Sequence, residues 1–184
     1  MSQLFLRGSQ VYLRALEPSD VSRLLRWFND PEITQYILRG RLPINEPREN
    51  EWLANQYKSE SEVVFGVGRL EDEQLIGAVG IHDVQWVDRF GTVGIVIGDQ
   101  NNWGFGYGTE AMSLMLRYGF DTLNLNRIEL SVFDFNERAM KSYRKLGFVE
   151  EGRLRQRRFK HGRWVDEVQM AFLREAWARS GSTS

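Results

Sequence analysis

The chain has 184 residues and no cysteine, which excludes disulfides, thiolate metal sites and a cysteine nucleophile. Its formal net charge of −1, with 42% hydrophobic and 27% charged residues, is ordinary for a globular protein and gives no support to a nucleic-acid or membrane-surface role. The start of the chain becomes polar too soon for a signal peptide, and no apolar run approaches the ~18 residues of a membrane span. We therefore expect one cytoplasmic domain over residues 1–178, followed by a disordered tail at 179–184.

The first third of the chain is predicted to hold one strand and two helices. Residues 11–16 alternate between apolar and polar side chains, as a strand does. The helix that follows has an apolar face at i, i+3, i+4 and i+7, made by Val21, Leu24, Leu25 and Phe28. Asn29-Asp30-Pro31 ends this helix, residues 33–48 are polar and irregular, and a short helix is predicted over 49–58.

The middle of the chain is predicted to hold three strands and the longest helix. Residues 63–70 and 75–84 form an antiparallel hairpin around an acidic turn, and residues 92–97 form the next strand. A buried stripe at helical spacing then runs through Met112, Met115, Leu116, Gly119, Phe120 and Leu123.

The last third is predicted to be a strand, a helix and a hairpin. The strand covers residues 127–133, the helix begins at Asn136, and residues 148–159 pair with 163–173. The order β, α, α, β, β, β, α, β, α, β, β indicates one mixed sheet with helices on both faces, in the α/β or α+β class. The arginines between residues 153 and 158 are expected to share a solvated strand face.

A glycine-rich turn lies between the strand at 92–97 and the longest helix. Gly104, Gly106 and Gly108 carry no side chains, so backbone N–H groups can approach an anion, and the helix directs the positive end of its dipole to the same point. The turn lacks the lysine of a Walker loop, and its G-x-G-x-G spacing differs from the G-x-G-x-x-G of a dinucleotide fingerprint. The ligand we expect here is a pyrophosphate.

Three stretches carry a family resemblance. Residues 103–108 read Trp-Gly-Phe-Gly-Tyr-Gly, residues 136–148 read Asn-x-x-Ala-x-x-x-Tyr-x-Lys-x-Gly-Phe, and residues 27–32 read Trp-Phe-Asn-Asp-Pro-Glu. In order and spacing they resemble the motifs of the GNAT acetyltransferases, whose pyrophosphate loop has the form Q/R-x-x-G-x-G/A. In this chain Trp103 replaces the first polar residue of that loop. A tryptophan at this position resembles the branch of the ribosomal-protein N-terminal and spermidine acetyltransferases.

The resemblance implies a single GNAT domain whose sheet is mixed, mostly antiparallel and split by a splayed strand pair. It also implies direct transfer of an acetyl group from acetyl-CoA, in a ternary complex, to a primary amine. A protein N-terminus, a polyamine, and an amino sugar or antibiotic all remain open as acceptors. We expect no metal, because the chain has only two histidines, far apart, and no cysteine. A homodimer is compatible with the sequence.

The resemblance also implies which residues bind acetyl-CoA. They are Ile95, Val96, Ile97, Trp103, Gly104, Phe105, Gly106, Tyr107, Gly108, Thr109, Asn136, Ala139, Tyr143 and Lys145. Backbone N–H groups of the splayed strand at 95–97 can also donate to a developing oxyanion. Asn136 has a second role as the predicted N-cap of its helix.

Tyr143 is the candidate general acid. It lies four residues after Ala139, so both share one helix face, and the small alanine leaves room for a ligand. A phenol with a pKa of about 10 can protonate a thiolate whose parent thiol has a pKa of about 8.5. The alternative is that Tyr143 is a half-buried core aromatic.

The general base is less clearly marked in the sequence. Many relatives carry glutamate two residues before the glycine of the splayed strand, where this chain has Thr92, which cannot act as a base at neutral pH. His82 is the first candidate, because the ordinary imidazole pKa of about 6.5 suits proton removal. Asp83, water, or a purely structural role for His82 are the alternatives.

The acceptor is predicted to bind in the irregular segment between residues 29 and 49. Its candidate contacts are Trp27, Glu32, Tyr36, Glu46 and Glu49, which offer aromatic rings and carboxylates to a cationic amine. A solvated loop is the alternative for this segment. Two other functions also remain open: a catalytically weak acyl-CoA sensor, motivated by Thr92, and nucleic-acid binding by the arginine-rich hairpin, which the near-zero charge disfavours.

Overall fold

One mixed sheet of eight strands forms the centre of the molecule. The computed structural model describes residues 4–38 and 42–180. Its strands, in chain order, are β1 (Leu4–Arg7), β2 (Val11–Arg14), β3 (Val63–Arg69), β4 (Leu75–Gln85), β5 (Phe90–Ile97), β6 (Arg127–Phe133), β7 (Val149–Lys160) and β8 (Arg163–Leu173). They lie side by side in the order β1-β2-β3-β4-β5-β6-β8-β7, with β5 and β6 parallel and the other neighbours antiparallel. The predicted fold class is confirmed.

Helices pack on both faces of this sheet. They are α1 (Val21–Phe28), α2 (Pro31–Thr34), α3 (Glu46–Gln56), α4 (Tyr107–Arg117), α5 (Glu137–Leu146) and α6 (Arg174–Ser180). Adjacent residues of β3 point to opposite faces: Phe65 joins the core beneath α4, α5 and α6, whereas Val64 packs on the core beneath α1 and α3. In the described part of the chain, no helix combines the length and the apolar character needed to cross a membrane.

Several element boundaries depart from those expected. The helix predicted over 49–58 begins at Glu46, because the Asn45 side chain accepts a 3.2 Å hydrogen bond from the Arg48 amide and caps it. α4 ends at Arg117 and continues as a π-helical turn over Tyr118–Thr122. β1, α2 and α6 were not predicted. Residues 181–184 of the expected tail lie outside the described residues, whereas 179 and 180 belong to α6.

The parallel pair in the sheet is very short, and this determines where the site lies. β5 and β6 pair only through Phe90, Gly91 and Thr92. After Thr92, β5 continues along β4 while β6 continues along β8, so a gap opens between the two strands. α4 follows β5 and α5 follows β6 along the chain, and residues at the start of both helices line this gap.

Candidate active site

Two adjoining cavities occupy the gap. The first, of about 330 Å³, lies against the 102–109 turn and α5, and we call it the loop cavity. The second, of about 350 Å³, lies over strands β4, β5 and β6 below α1 and α3, and we call it the sheet cavity. The residues that line both are Tyr36, Ile37, Ile95, Val96, Asn136 and Tyr143. A ligand in one cavity can therefore meet a ligand in the other at these residues.

The loop cavity has an uncapped helix N-terminus at one end. Gly104 and Gly106 adopt φ values of +88° and +89°, which glycine tolerates far better than other residues. A Cβ on Gly104 would meet no atom of the described chain within 4 Å, so space is open there. Gly106 is the N-cap of α4 and offers no side chain to its first amides. The first turn of α4 is therefore suited to an anion such as a pyrophosphate.

Trp103 belongs to the wall of the loop cavity. Its indole Nε1 donates a 2.9 Å hydrogen bond to the Ile97 carbonyl oxygen. The Arg138 guanidinium lies 4.1 Å from the centre of the indole ring, and the Tyr36 ring meets it edge-on at 5.8 Å. The indole therefore holds β5, α5 and the segment after α2 together. Phe105, by contrast, is 62% exposed, stacks on Tyr107 and does not line either cavity.

The backbone of β5 presents hydrogen-bonding groups to the gap. The Gly98 amide donates to the Ile76 carbonyl at 2.9 Å, and the ladder continues in the same register through Val96 and Ala78. Because bonded residues alternate in an antiparallel ladder, the peptide groups of Ile95 and Ile97 face away from β4. The contact of Trp103 with the Ile97 carbonyl agrees with this direction. Of the three predicted positions, Ile95 and Ile97 thus have amides that face the gap.

α5 presents one face to the loop cavity. The Asn136 side chain accepts a 3.2 Å hydrogen bond from the Ala139 amide, so it is the N-cap of α5. Ala139 and Tyr143 both line the loop cavity. The hydroxyls of Thr109 and Ser142 lie 2.7 Å apart and join the start of α4 to α5.

Tyr143 stands where the two cavities meet. Its ring packs edge-on against Phe148 at 5.9 Å, and within the described residues its hydroxyl has no hydrogen-bond partner. Burial raises the pKa of Tyr143 to about 12, because desolvation disfavours the charged phenolate. The phenol is therefore protonated at neutral pH and can act as a proton donor.

His82 lies on the floor of the sheet cavity. Its Nδ1 is 3.7 Å from Glu62 Oε2, and that oxygen also accepts a 2.8 Å hydrogen bond from Gln56 Nε2. The Nε2 atom lies over Gly80, where an added Cβ would come within 3.2 Å of it. The imidazole thus turns one nitrogen towards a carboxylate and the other across the sheet. Thr92 is its partner in the ladder.

The model for the acetyltransferase (GNAT) domain matches residues 10–149 of this chain. The chain belongs to the GNAT acetyltransferase family. The spermidine N(1)-acetyltransferase of Vibrio cholerae is 30% identical over 170 residues, which are 92% of this chain and 96% of the relative. A putative ribosomal N-acetyltransferase, YdaF of Bacillus subtilis, is 26% identical over 174 residues, which are 92% of this chain and 94% of the relative.

The fold comparison agrees with the sequence comparison. The crystal structure of the Vibrio cholerae spermidine N-acetyltransferase in complex with CoA and spermine matches this chain with a TM-score of 0.86 and 29% identity. The match covers 93% of this chain and 99% of that chain. The predicted family, and its branch with ribosomal-protein and spermidine acetyltransferases, are therefore confirmed.

The expected acceptor residues of this GNAT enzyme are spread over different environments. Tyr36 lines both cavities. Trp27 is 6% exposed and packs in the core beneath α1, and Glu49 is 0% exposed, which leaves neither with surface for an amine. Glu32 and Glu46 are exposed in the first turns of α2 and α3 and do not line either cavity.

Other residues that line the sheet cavity were not predicted from the sequence as site residues. They are chiefly Phe28, Leu38, Trp52, Val64 and Phe133. Phe28 and Trp52 were assigned only to apolar helix faces, because a residue that lines a cavity has the same spacing as one that fills a core. Lys145, one of the predicted CoA contacts, is exposed near the end of α5 and does not line either cavity.

Proposed function

We propose that this enzyme transfers the acetyl group of acetyl-CoA directly to a primary amine, with both substrates bound at once. The observation that carries the proposal is the continuity of the two cavities at Tyr143. One cavity ends at a helix N-terminus suited to an anion and the other at His82, so a phosphorylated thioester and an amine can each occupy one cavity and meet at Tyr143.

The loop cavity suits the pyrophosphate and the arm of acetyl-CoA. The amides of Tyr107, Gly108 and Thr109 precede the first intrahelical bond, which runs from the Glu110 amide to the Gly106 carbonyl, so they can donate to phosphate oxygens. The Ile95 and Ile97 peptide groups would pair with the amide-rich arm. When bound, acetyl-CoA supplies the thioester carbonyl that the amine attacks.

Two groups would assist at the reacting carbonyl. The Ile95 or Ile97 amide donates to the carbonyl oxygen, on which negative charge develops. Tyr143 gives its phenolic proton to the departing sulfur, and the phenol is protonated throughout the neutral range. The absence of cysteine removes transfer through a cysteine thioester, which leaves direct transfer.

His82 is proposed as the base that takes the proton from the attacking amine. It lines the sheet cavity, and the Glu62 carboxylate beside Nδ1 would stabilise the imidazolium that forms. Thr92 occupies the neighbouring ladder position and cannot do this itself. Asp83, the other residue considered, is exposed and does not line either cavity.

The experiment compares Tyr143→Phe with Tyr118→Phe. Both residues are tyrosines whose pKa is raised by burial, but Tyr118 packs against Phe5 and Phe65, away from the cavities. Thiol release from acetyl-CoA, measured across a panel of amines, should fall about 100-fold in Tyr143→Phe and stay unchanged in Tyr118→Phe. Full turnover in Tyr143→Phe would refute the acid assignment. Saturable CoA binding with no thiol release from any amine would instead favour the acyl-CoA sensor.

A further inference from the structure

The sheet cavity has an apolar lining. Its walls are formed mainly by the side chains of Phe28, Ile37, Leu38, Trp52, Val64 and Phe133. Its floor includes glycines of β4 and β5. The polar side chains of its lining are few: the hydroxyls of Tyr36, Thr92, Ser131 and Tyr143, the Asn136 amide and the His82 imidazole. A cavity of this composition recognises a ligand chiefly by its apolar surface.

No carboxylate lines the sheet cavity among the described residues. Residues 1–3, 39–41 and 181–184, which lie outside the described part, contain no aspartate or glutamate in the sequence. Glu62 does not belong to the lining and lies behind His82, where it also accepts a hydrogen bond from Gln56. In that position the carboxylate already serves Gln56 and His82, so it is not a partner for a further ammonium group in the cavity.

A polyamine is therefore a poor fit to this cavity. The amine that reacts loses its proton to the base, but every further ammonium group held in this cavity would lie against apolar side chains without a carboxylate partner, which is unfavourable. An apolar group in the same place gains free energy from burial against Phe28, Trp52 and Phe133.

Within the acetyl transfer proposed above, on which this inference rests, we propose that the acceptor is a primary amine carried on an apolar body, aliphatic or aromatic. The α-amine of a peptide with an apolar first residue and a simple arylalkylamine both belong to this class. The cavity discriminates against amines that carry a second positive charge. In this respect the chain differs from its relative in Vibrio cholerae, which is a spermidine acetyltransferase.

The direct test uses two amines of matched length, n-pentylamine and 1,4-diaminobutane. They differ in one terminal group, which is a methyl in the first and an ammonium in the second. We expect kcat/KM with acetyl-CoA to be at least about tenfold higher for pentylamine, and higher again for phenethylamine. Equal or higher kcat/KM for the diamine, or for spermidine, would overturn the inference.

A pair of leucine variants tests whether the cavity lining is responsible. Leu38 lines the sheet cavity and is 49% exposed, whereas Leu42 is 67% exposed and does not line it, so neither substitution disrupts a core. Leu38→Glu should raise the ratio of diamine to pentylamine activity about fivefold or more, since it adds a carboxylate. Leu42→Glu should leave that ratio unchanged. An unchanged ratio in Leu38→Glu would contradict the inference.

A measurement of amine binding tests this inference independently of the proposed acetyl transfer. If no amine releases thiol, acetyl transfer itself is refuted, and calorimetry of the two amines in the presence of CoA still decides the charge preference. Tighter binding of pentylamine would support an apolar acceptor cavity in a non-catalytic protein. Tighter binding of 1,4-diaminobutane would refute it.

Discussion

The two cavities of this acetyltransferase are built from different kinds of groups. The loop cavity relies on backbone amides of β5 and on two contiguous stretches, 102–109 and 136–143, that include the starts of α4 and α5. The sheet cavity relies on side chains from α1, α3 and four strands, as well as the segment after α2. The first can bind a substrate part that is common to a whole family, because backbone groups vary little with sequence. The second can change its acceptor by single side-chain substitutions.

The largest effect is expected from a side chain at Gly106. Gly106→Val forces a β-branched residue into a left-handed conformation at φ +89° and strains the start of α4 by ~1–2 kcal/mol or more. The KM for acetyl-CoA should rise at least about tenfold, whereas the KM for the amine should change little. Steady-state kinetics with each substrate varied in turn measures both.

Gly152→Val is the matched control. Gly152 lies on β7, and an added Cβ would meet nothing within 4 Å of it in the described structure. Neither KM should change in this variant. A rise of the amine KM in Gly106→Val, as large as that of the acetyl-CoA KM, would show that the two cavities are not separate binding regions.

A smaller effect, on the KM for the amine more than on the KM for acetyl-CoA, is expected from a substitution of Lys160. Its Nζ donates 2.9 Å hydrogen bonds to the carbonyl oxygens of Thr34 and Ile37, and so holds in place the segment that carries Tyr36. Lys160→Met should raise the KM for the amine about three- to tenfold and affect acetyl-CoA less, since each lost hydrogen bond to a charged group is worth ~1.5–3 kcal/mol before the segment relaxes. The same kinetics provide the measurement.

Lys141→Met serves as the control for this prediction. Lys141 is largely exposed on α5, and its ion pair with Glu137 is long, at 3.9 Å. Both KM values should remain those of the unmodified enzyme. If Lys160→Met left the amine KM unchanged, the segment after α2 would not form the acceptor wall.

The smallest effect concerns stability in alkali. Burial raises the pKa of Tyr143 to about 12 in the folded protein, while an exposed phenol has a pKa of about 10. Because folding favours the protonated phenol, this stabilisation is complete below about pH 10 and is lost as the pH rises to about 12. Urea unfolding should therefore show the free energy of unfolding falling more steeply in the unmodified enzyme than in Tyr143→Phe.

The difference between the two pH curves is the quantity to compare. Burial also raises the pKa of Tyr118, so the unmodified enzyme and Tyr143→Phe share that contribution. Curves that stay parallel between about pH 9 and pH 12 would contradict the burial of the Tyr143 phenol in the folded state.

Local sequence patterns predicted most of the helices and strands. β6 and β8 have the predicted bounds, 127–133 and 163–173, because alternation in a strand depends only on neighbouring residues. The short helix α2 and strand β1 lacked such a signal, since four residues are too few to show a period. The family resemblance predicted the split between β5 and β6. The residue after which the strands separate, Thr92, is known only from the register of the two strands in the structure.

The amino-acid sequence by itself determined the family, the glycine turn with its helix, and the face of α5 that carries Asn136, Ala139 and Tyr143. These depend on residues close together in the chain, so spacing is sufficient to place them. Only the tertiary structure decided that Trp27 and Glu49 are buried and that Phe28 and Trp52 line a cavity. An apolar or acidic residue on a helix has the same local pattern whether it faces a core, solvent or a ligand, and only the packing of distant elements distinguishes these environments.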